Sequence, residues 1–267
     1  MKIGFIGTGN MGMAIIKGFI SANTNAAENI YAFDRDDDKL NALTKELGIQ
    51  PCGSIGQLVE VSDIVVIAVK PNIYDIALPE IDAAYQSNKI VVSIAAGISI
   101  GFIEKNIKNE KAKIVRVMPN IPAMVNESMT AVCRNSNLTD AEFDSVFHIF
   151  TSIGKAEVVD EKLIDAVIGV SGSSSAYTYM FIEALIDGAV INGMKKDQAT
   201  IFAAQSVLGA AKMVLETGIN PVNLRENVCS PGGTTIEAVK VLQNNGFCDN
   251  VIEAVNAAVE KSKIMTK

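Results

Sequence analysis

The chain has 267 residues, of which 49% are hydrophobic and 20% charged. At that length a core can bury roughly three quarters of the surface exposed by the unfolded chain, so intrinsic disorder is excluded. Lysine and arginine number 23 against 30 aspartates and glutamates, a formal charge of −7 that makes nucleic acid a poor main partner.

From the N-terminus, short runs rich in valine and isoleucine alternate with helical stretches. The predicted strands cover residues 2–6, 29–33, 63–69, 89–95, 113–118, 129–134 and 155–159. Several are apolar at nearly every position, Ile64-Val65-Val66-Ile67-Ala68-Val69 most clearly, as parallel strands covered on both faces should be. Strand, helix, strand in that order predicts right-handed crossovers and a doubly wound α/β sheet. No charged, apolar and small-residue leader precedes the first strand, so secretion is not expected. The longest uncharged run, 166–182, carries serines, a threonine and tyrosines and is too polar for a membrane helix. Cys52, Cys133, Cys229 and Cys248 show no CxxC spacing, and the single histidine, His148, sits in an apolar helical stretch. Neither a disulfide framework nor a metal site is expected, and a reducing cytoplasmic setting is the default.

Gly7-Thr8-Gly9-Asn10-Met11-Gly12 matches GxGxxG between a strand and a helix. Gly7 permits the tight turn, Gly9 lets the backbone approach a pyrophosphate, and Gly12 lets the helix pack close to the sheet. The helix start then offers free N–H groups and its positive dipole end to phosphates. Asp34 ends the next strand at roughly the 20-residue spacing of a carboxylate that accepts from an adenosine ribose, which favours NADH. Arg35 is suited to fork onto a 2′-phosphate, which favours NADPH, so both cofactors stay open. The charges after Arg35 read as a solvated run. Two more strand ends, Ala68-Val69-Lys70-Pro71 and Ala95-Ala96-Gly97, carry small residues where ligands of open α/β sheets collect.

Beyond residue 160 the strand signals stop. Residues 173–192 are apolar almost all round and predict a helix buried on several sides. Residues 197–217 follow, with Asp197 a candidate N-cap and Gly218 at the C-cap, and Asn220-Pro221 opens a further helix. Helices over 234–245 and 249–265 close the chain. The plan is a Rossmann-like dinucleotide domain over 1–160 and an all-α domain over 161–267. Thr234 with Glu237 predicts a capping box, while Gly232 and Gly233 before it make a backbone concavity suited to a carboxylate. Thr235 is placed to reach a substrate nitrogen or carbonyl.

These blocks, together with Arg116-Val117-Met118-Pro119-Asn120, 169–177 and Asn227-Val228-Cys229-Ser230-Pro231-Gly232-Gly233-Thr234-Thr235, resemble the pyrroline-5-carboxylate reductase family over essentially the whole length. The resemblance implies NADPH- or NADH-dependent reduction of 1-pyrroline-5-carboxylate to L-proline. It implies that 7–12, Asp34, Arg35, 68–71, 95–97 and Asn227 line the cofactor. It places Glu161, Thr234 and Thr235 at the substrate, with the backbone of 232–235 on its carboxylate; with the carboxylate so fixed, the Thr235 hydroxyl is expected to bond the ring nitrogen. It further implies a homodimer joined through the all-α domain, and larger rings of dimers. Ser175 stands where the family usually has proline, and Asp34-Arg35 stands where many members have Asn-Arg. A β-hydroxyacid dehydrogenase would need a lysine on the long helix, yet none lies between Lys162 and Lys195. A non-catalytic NAD(P)H sensor would keep residues 7–12 without needing 232–235.

Overall fold

The apolar runs of the first half assemble into one eight-stranded sheet in the computed structural model, which describes residues 1–23 and 26–267. The strands are β1 (Ile3–Ile6), β2 (Ile30–Phe33), β3 (Gln50–Pro51), β4 (Ile64–Ile67), β5 (Ile90–Ser93), β6 (Lys113–Met118), β7 (Ser128–Arg134) and β8 (Gly154–Val158). Between them run α1 (Asn10–Ala22), α2 (Asp37–Leu47), α3 (Ile55–Val61), α4 (Tyr74–Ala84), α5 (Ile100–Asn106) and α6 (Asp140–Thr151). The order β3-β2-β1-β4-β5-β6-β7-β8 contains the doubly wound nucleotide-binding arrangement, with its switch point between β1 and β4.

Strand alternation explains how helices cover both faces. Ile3, Phe5, Val115 and Val117 face α1 and α6, meeting Ile15, Phe19, Ile149 and Phe150. Ile6, Ile67, Ile114 and Met118 face α3, α4 and α5, meeting Leu58, Tyr74, Leu78 and Ile103. Burying each large side chain contributes about 1.5–3 kcal/mol, which makes the sheet a rigid base for the loops at its carboxyl edge. All seven expected strands are present: β1, β2, β4 and β5 are one to three residues shorter than expected, β6 matches, and β7 and β8 each start one residue earlier. The sequence reading missed β3, which is too short and too exposed to show a period. It also missed that β7 runs antiparallel to β6. Only the 3-10 turn Ile121–Val125 lies between them, too short for a parallel crossover.

The chain divides into two compact units, Met1–Ser173 with Ala257–Lys267 and Ser174–Asn256. The expected division at 160 falls earlier than this one, because Ile164 is buried in the sheet-side core and Glu161 pairs with Arg116 of β6. After β8, a 3-10 turn (Glu161–Leu163), α7 (Ile164–Val167) and a π-helical stretch (Ile168–Gly172) complete that part of the first unit. The remaining helices are α8 (Ser174–Ile191), α9 (Lys196–Thr217), α10 (Pro221–Asn227), α11 (Thr234–Asn244) and α12 (Phe247–Met265), whose last turns belong to the first unit.

Three expectations for these helices are corrected. No residue of α8 is buried within the chain, although most of its positions are apolar. Asp197 lies in the first turn of α9, and Lys195 occupies the cap. Thr234 is the first helical residue of α11, so Gly233 caps it and no capping box forms; Glu237 pairs instead with Lys240 at 2.8 Å. Gly218 ends α9 in the left-handed conformation, and the Asn220 side chain caps α10 by accepting from the Val222 N–H at 2.8 Å, both as expected.

Candidate active site

The Gly-rich turn is held from beneath. The Gly7 N–H donates to the Phe33 carbonyl at 2.7 Å, tying the end of β1 to the end of β2. Gly7 has φ of 95°, and a Cβ at Gly12 would lie 2.6 Å from the Gly7 carbonyl oxygen, so both positions need glycine. At Gly9 a Cβ would project into open space, the space a pyrophosphate needs. Gly9 caps α1 with no side-chain bond, leaving the first amides of the helix available to an anion.

Beside this turn lies a cleft of about 460 Å³. Gly7, Gly9, Asp34, Arg35, Ala68, Val69 and Lys70, all expected at the cofactor, line it. Lys39, Ile55, Asn72, Ile73 and Ile76 line it too, and the sequence reading missed them. Ile76 is 55% exposed on α4, an apolar surface of the kind a flat base covers, and an exposed isoleucine after Lys70-Pro71 was the available signal. Residues 35–39 are exposed, as a solvated charge run should be, and Lys39 Nζ lies 3.9 Å from Asp34 Oδ2.

Thr8 is fully buried and donates to Asp34 Oδ2 from both its N–H and its Oγ1, each at 2.7 Å. Burial pushes the Asp34 carboxyl up, but the Thr8 side chain and backbone, the Asp36 N–H and Lys39 outweigh it, and the group sits below its ordinary value. Asn10, Met11 and Gly12 form the first turn of α1, and Pro71 opens the 3-10 turn after Lys70. Ala95, Ala96 and Gly97 follow β5, at the carboxyl edge of the same sheet. None of these lines the cleft itself.

Glu161 is engaged within the first unit: its Oε1 accepts from the Ile100 N–H at 2.8 Å and from Arg116 NH1 at 2.9 Å. The second unit carries the remaining residues. Asn227 ends α10, and the Gly233 N–H closes a turn onto the Ser230 carbonyl at 3.0 Å. Gly232 is left-handed at φ of 70°, and Thr234 and Thr235 stand exposed at the uncapped start of α11. The side chains of Asp36, Ser54, Ser99, Thr139 and Asn220 cap α2, α3, α5, α6 and α10. At α1 and α11 the cap residue is a glycine, Gly9 and Gly233, and no side chain covers the first amides.

The doubly wound sheet, its switch point and the open cradle at α1 define a dinucleotide-dependent oxidoreductase fold. Residues 161–265 match the family described as pyrroline-5-carboxylate reductase dimerisation, and residues 2–97 match the family described as NADP oxidoreductase coenzyme F420-dependent. The Escherichia coli (strain K12) pyrroline-5-carboxylate reductase is 47% identical, covering 100% of this chain and 98% of the relative. That of Methanosarcina acetivorans is 42% identical, again over 100% and 98%. A crystal structure of Plasmodium falciparum pyrroline carboxylate reductase with NADP bound superposes with a TM-score of 0.91 at 35% identity, over 100% of this chain and 98% of that one. The chain belongs to the pyrroline-5-carboxylate reductase family.

Proposed function

We propose that this chain reduces the C=N bond of 1-pyrroline-5-carboxylate to give L-proline, the closing step of proline biosynthesis, at the expense of NADPH or NADH. The observation that carries the reading is two helix starts whose cap residue is a glycine with no side-chain bond, Gly9 for α1 and Gly233 for α11, on a chain of this family. One suits a pyrophosphate and the other a carboxylate. The bound nicotinamide supplies the reducing equivalent.

What the chain adds is orientation. The amides of residues 232–235 and the α11 dipole hold the substrate carboxylate, and Thr235 Oγ bonds the ring nitrogen. Glu161 helps to shape the substrate side. The first turn of α1, with Arg35, 68–71 and 95–97, holds the dinucleotide, Asp34 holds the turn beneath it, and the family's pattern assigns Asn227 to the cofactor as well. A cyclic imine is already electrophilic, so placing it correctly is the main task, and good placement is worth on the order of 7–11 kcal/mol.

We also read the second unit as a dimerisation surface. Tyr179, Met180 and Ile191 of α8 are 59%, 68% and 84% exposed, a hydrophobic load that a second copy would cover. A ring of dimers is compatible with such a surface. All four cysteines are free, which fits a reducing cytoplasm.

The test is NADPH and NADH oxidation by the purified protein on adding pyrroline-5-carboxylate, with proline measured as product. Turnover is expected, and Thr235→Ala should lower kcat/KM by about tenfold or more. Nucleotide binding without turnover would favour a sensor instead.

A further inference from the structure

An aspartate at the end of β2 ordinarily signals NADH, because its two oxygens accept from the ribose 2′- and 3′-hydroxyls. In this chain one oxygen of that carboxylate is already occupied, so it cannot serve both hydroxyls. Asp34 Oδ2 receives both the N–H and the Oγ1–H of Thr8, at 2.7 Å each, which fills its two lone-pair directions. Oδ1 accepts from the Asp36 N–H at 3.2 Å. Lys39 Nζ stands 3.9 Å from Oδ2 and offsets part of the charge, and the Asp34 side chain is only 19% exposed.

The cations nearby are differently placed. Arg35 is exposed, lines the cleft and makes no ion pair among the described residues. Lys39 and Lys70 line the same cleft, whose other carboxylate is Glu80 on α4. A guanidinium beside two ammonium groups suits a phosphate monoester better than a diol. We propose that Thr8 is a positioning residue which, by holding Asp34 away from the ribose, makes this chain prefer NADPH, with Arg35 on the 2′-phosphate. The inference rests on the reading above that this cleft takes the adenosine end of NAD(P)H.

The experiment titrates NADPH and NADH onto the protein without substrate, following nucleotide fluorescence. Calorimetry with ADP-ribose and its 2′-phosphate isolates the adenosine end. The unaltered protein should bind the 2′-phosphorylated form at least tenfold more tightly. Thr8→Val keeps the side-chain size, frees one acceptor site on Asp34 and should narrow that ratio about tenfold by tightening NADH. Thr8→Ser keeps the hydroxyl and should retain the ratio. Arg35→Ala, on the surface, should narrow it by weakening NADPH alone. Equal or tighter NADH binding by the unaltered protein, or an unchanged ratio in folded Thr8→Val, overturns the proposal. Because substrate is absent, either result leaves imine reduction standing, whereas binding of neither nucleotide overturns both.

Discussion

Lys267 donates its backbone N–H to the Gly97 carbonyl at 2.8 Å, so the end of the described chain is fastened to the turn that follows β5. Ser99 Oγ donates to the Lys267 carbonyl at 2.7 Å, and Lys267 Nζ reaches Asp75 Oδ2 at 2.8 Å. Gly97 has φ of 75°, and a Cβ there would lie 2.6 Å from the Met265 carbonyl oxygen. The segment therefore lies against a turn expected to serve the cofactor.

Gly97→Ala should destabilise the protein by about 1–2 kcal/mol from the left-handed backbone alone, more with the clash against Met265. It should also weaken NAD(P)H binding. Chemical denaturation and nucleotide titration measure the two effects. Deleting residues 265–267 in the Gly97→Ala background should relieve the clash, so the two changes should be non-additive in a double-mutant cycle. Strict additivity would show that the contact with Met265 contributes nothing.

The Arg116–Glu161 pair should be needed for the integrity of the carboxyl edge of the sheet. The Arg116 side chain is 4% exposed, and its Nε and NH2 have no partner among the described residues, so NH1 to Glu161 is its main anchor. Glu161→Ala should cost about 3 kcal/mol, because it leaves a buried guanidinium uncompensated. Cys133, opposite Arg116 on β7, reports on this. Burial pushes its thiol up to about 12, with Glu161 adding to the effect and Arg116 opposing it. The thiol is therefore protonated at pH 8 and should resist alkylation until the sheet opens. Glu161→Ala should hasten its labelling in proportion to the lost stability.

The apolar faces of the second unit lead to a third expectation. Tyr177, Met180, Phe181, Leu185, Val241 and Phe247 line a groove of about 730 Å³. Light scattering should give a mass of at least two 28.4 kDa chains. Met180→Glu would force a charge into that contact and should weaken association by at least tenfold. A monomeric unaltered protein would remove the dimerisation reading.

The apolar runs and glycine spacing made most of this legible from the residues in order. Ile64-Val65-Val66-Ile67 announces a strand covered on both faces, and Gly7, Gly9 and Gly12 announce a phosphate cradle, because each depends on local chemistry. The uncapped start of α11 was half visible: the glycines pointed to an anion, but Thr234 looked like a cap until the helix began one residue earlier than a capping box allows.

Sequence by itself determined the doubly wound half, the helical half, the cradle and the family, since period and local turn chemistry are carried by neighbours along the chain. Tertiary structure decided what each charge is engaged with. Thr8 and Asp34, Arg116 and Glu161, and Gly97 and Lys267 are far apart in the chain and meet only because the sheet brings its carboxyl edge together. The partner of a carboxylate is a property of three-dimensional packing, and it is that partner which decides whether Asp34 faces a ribose or holds a turn.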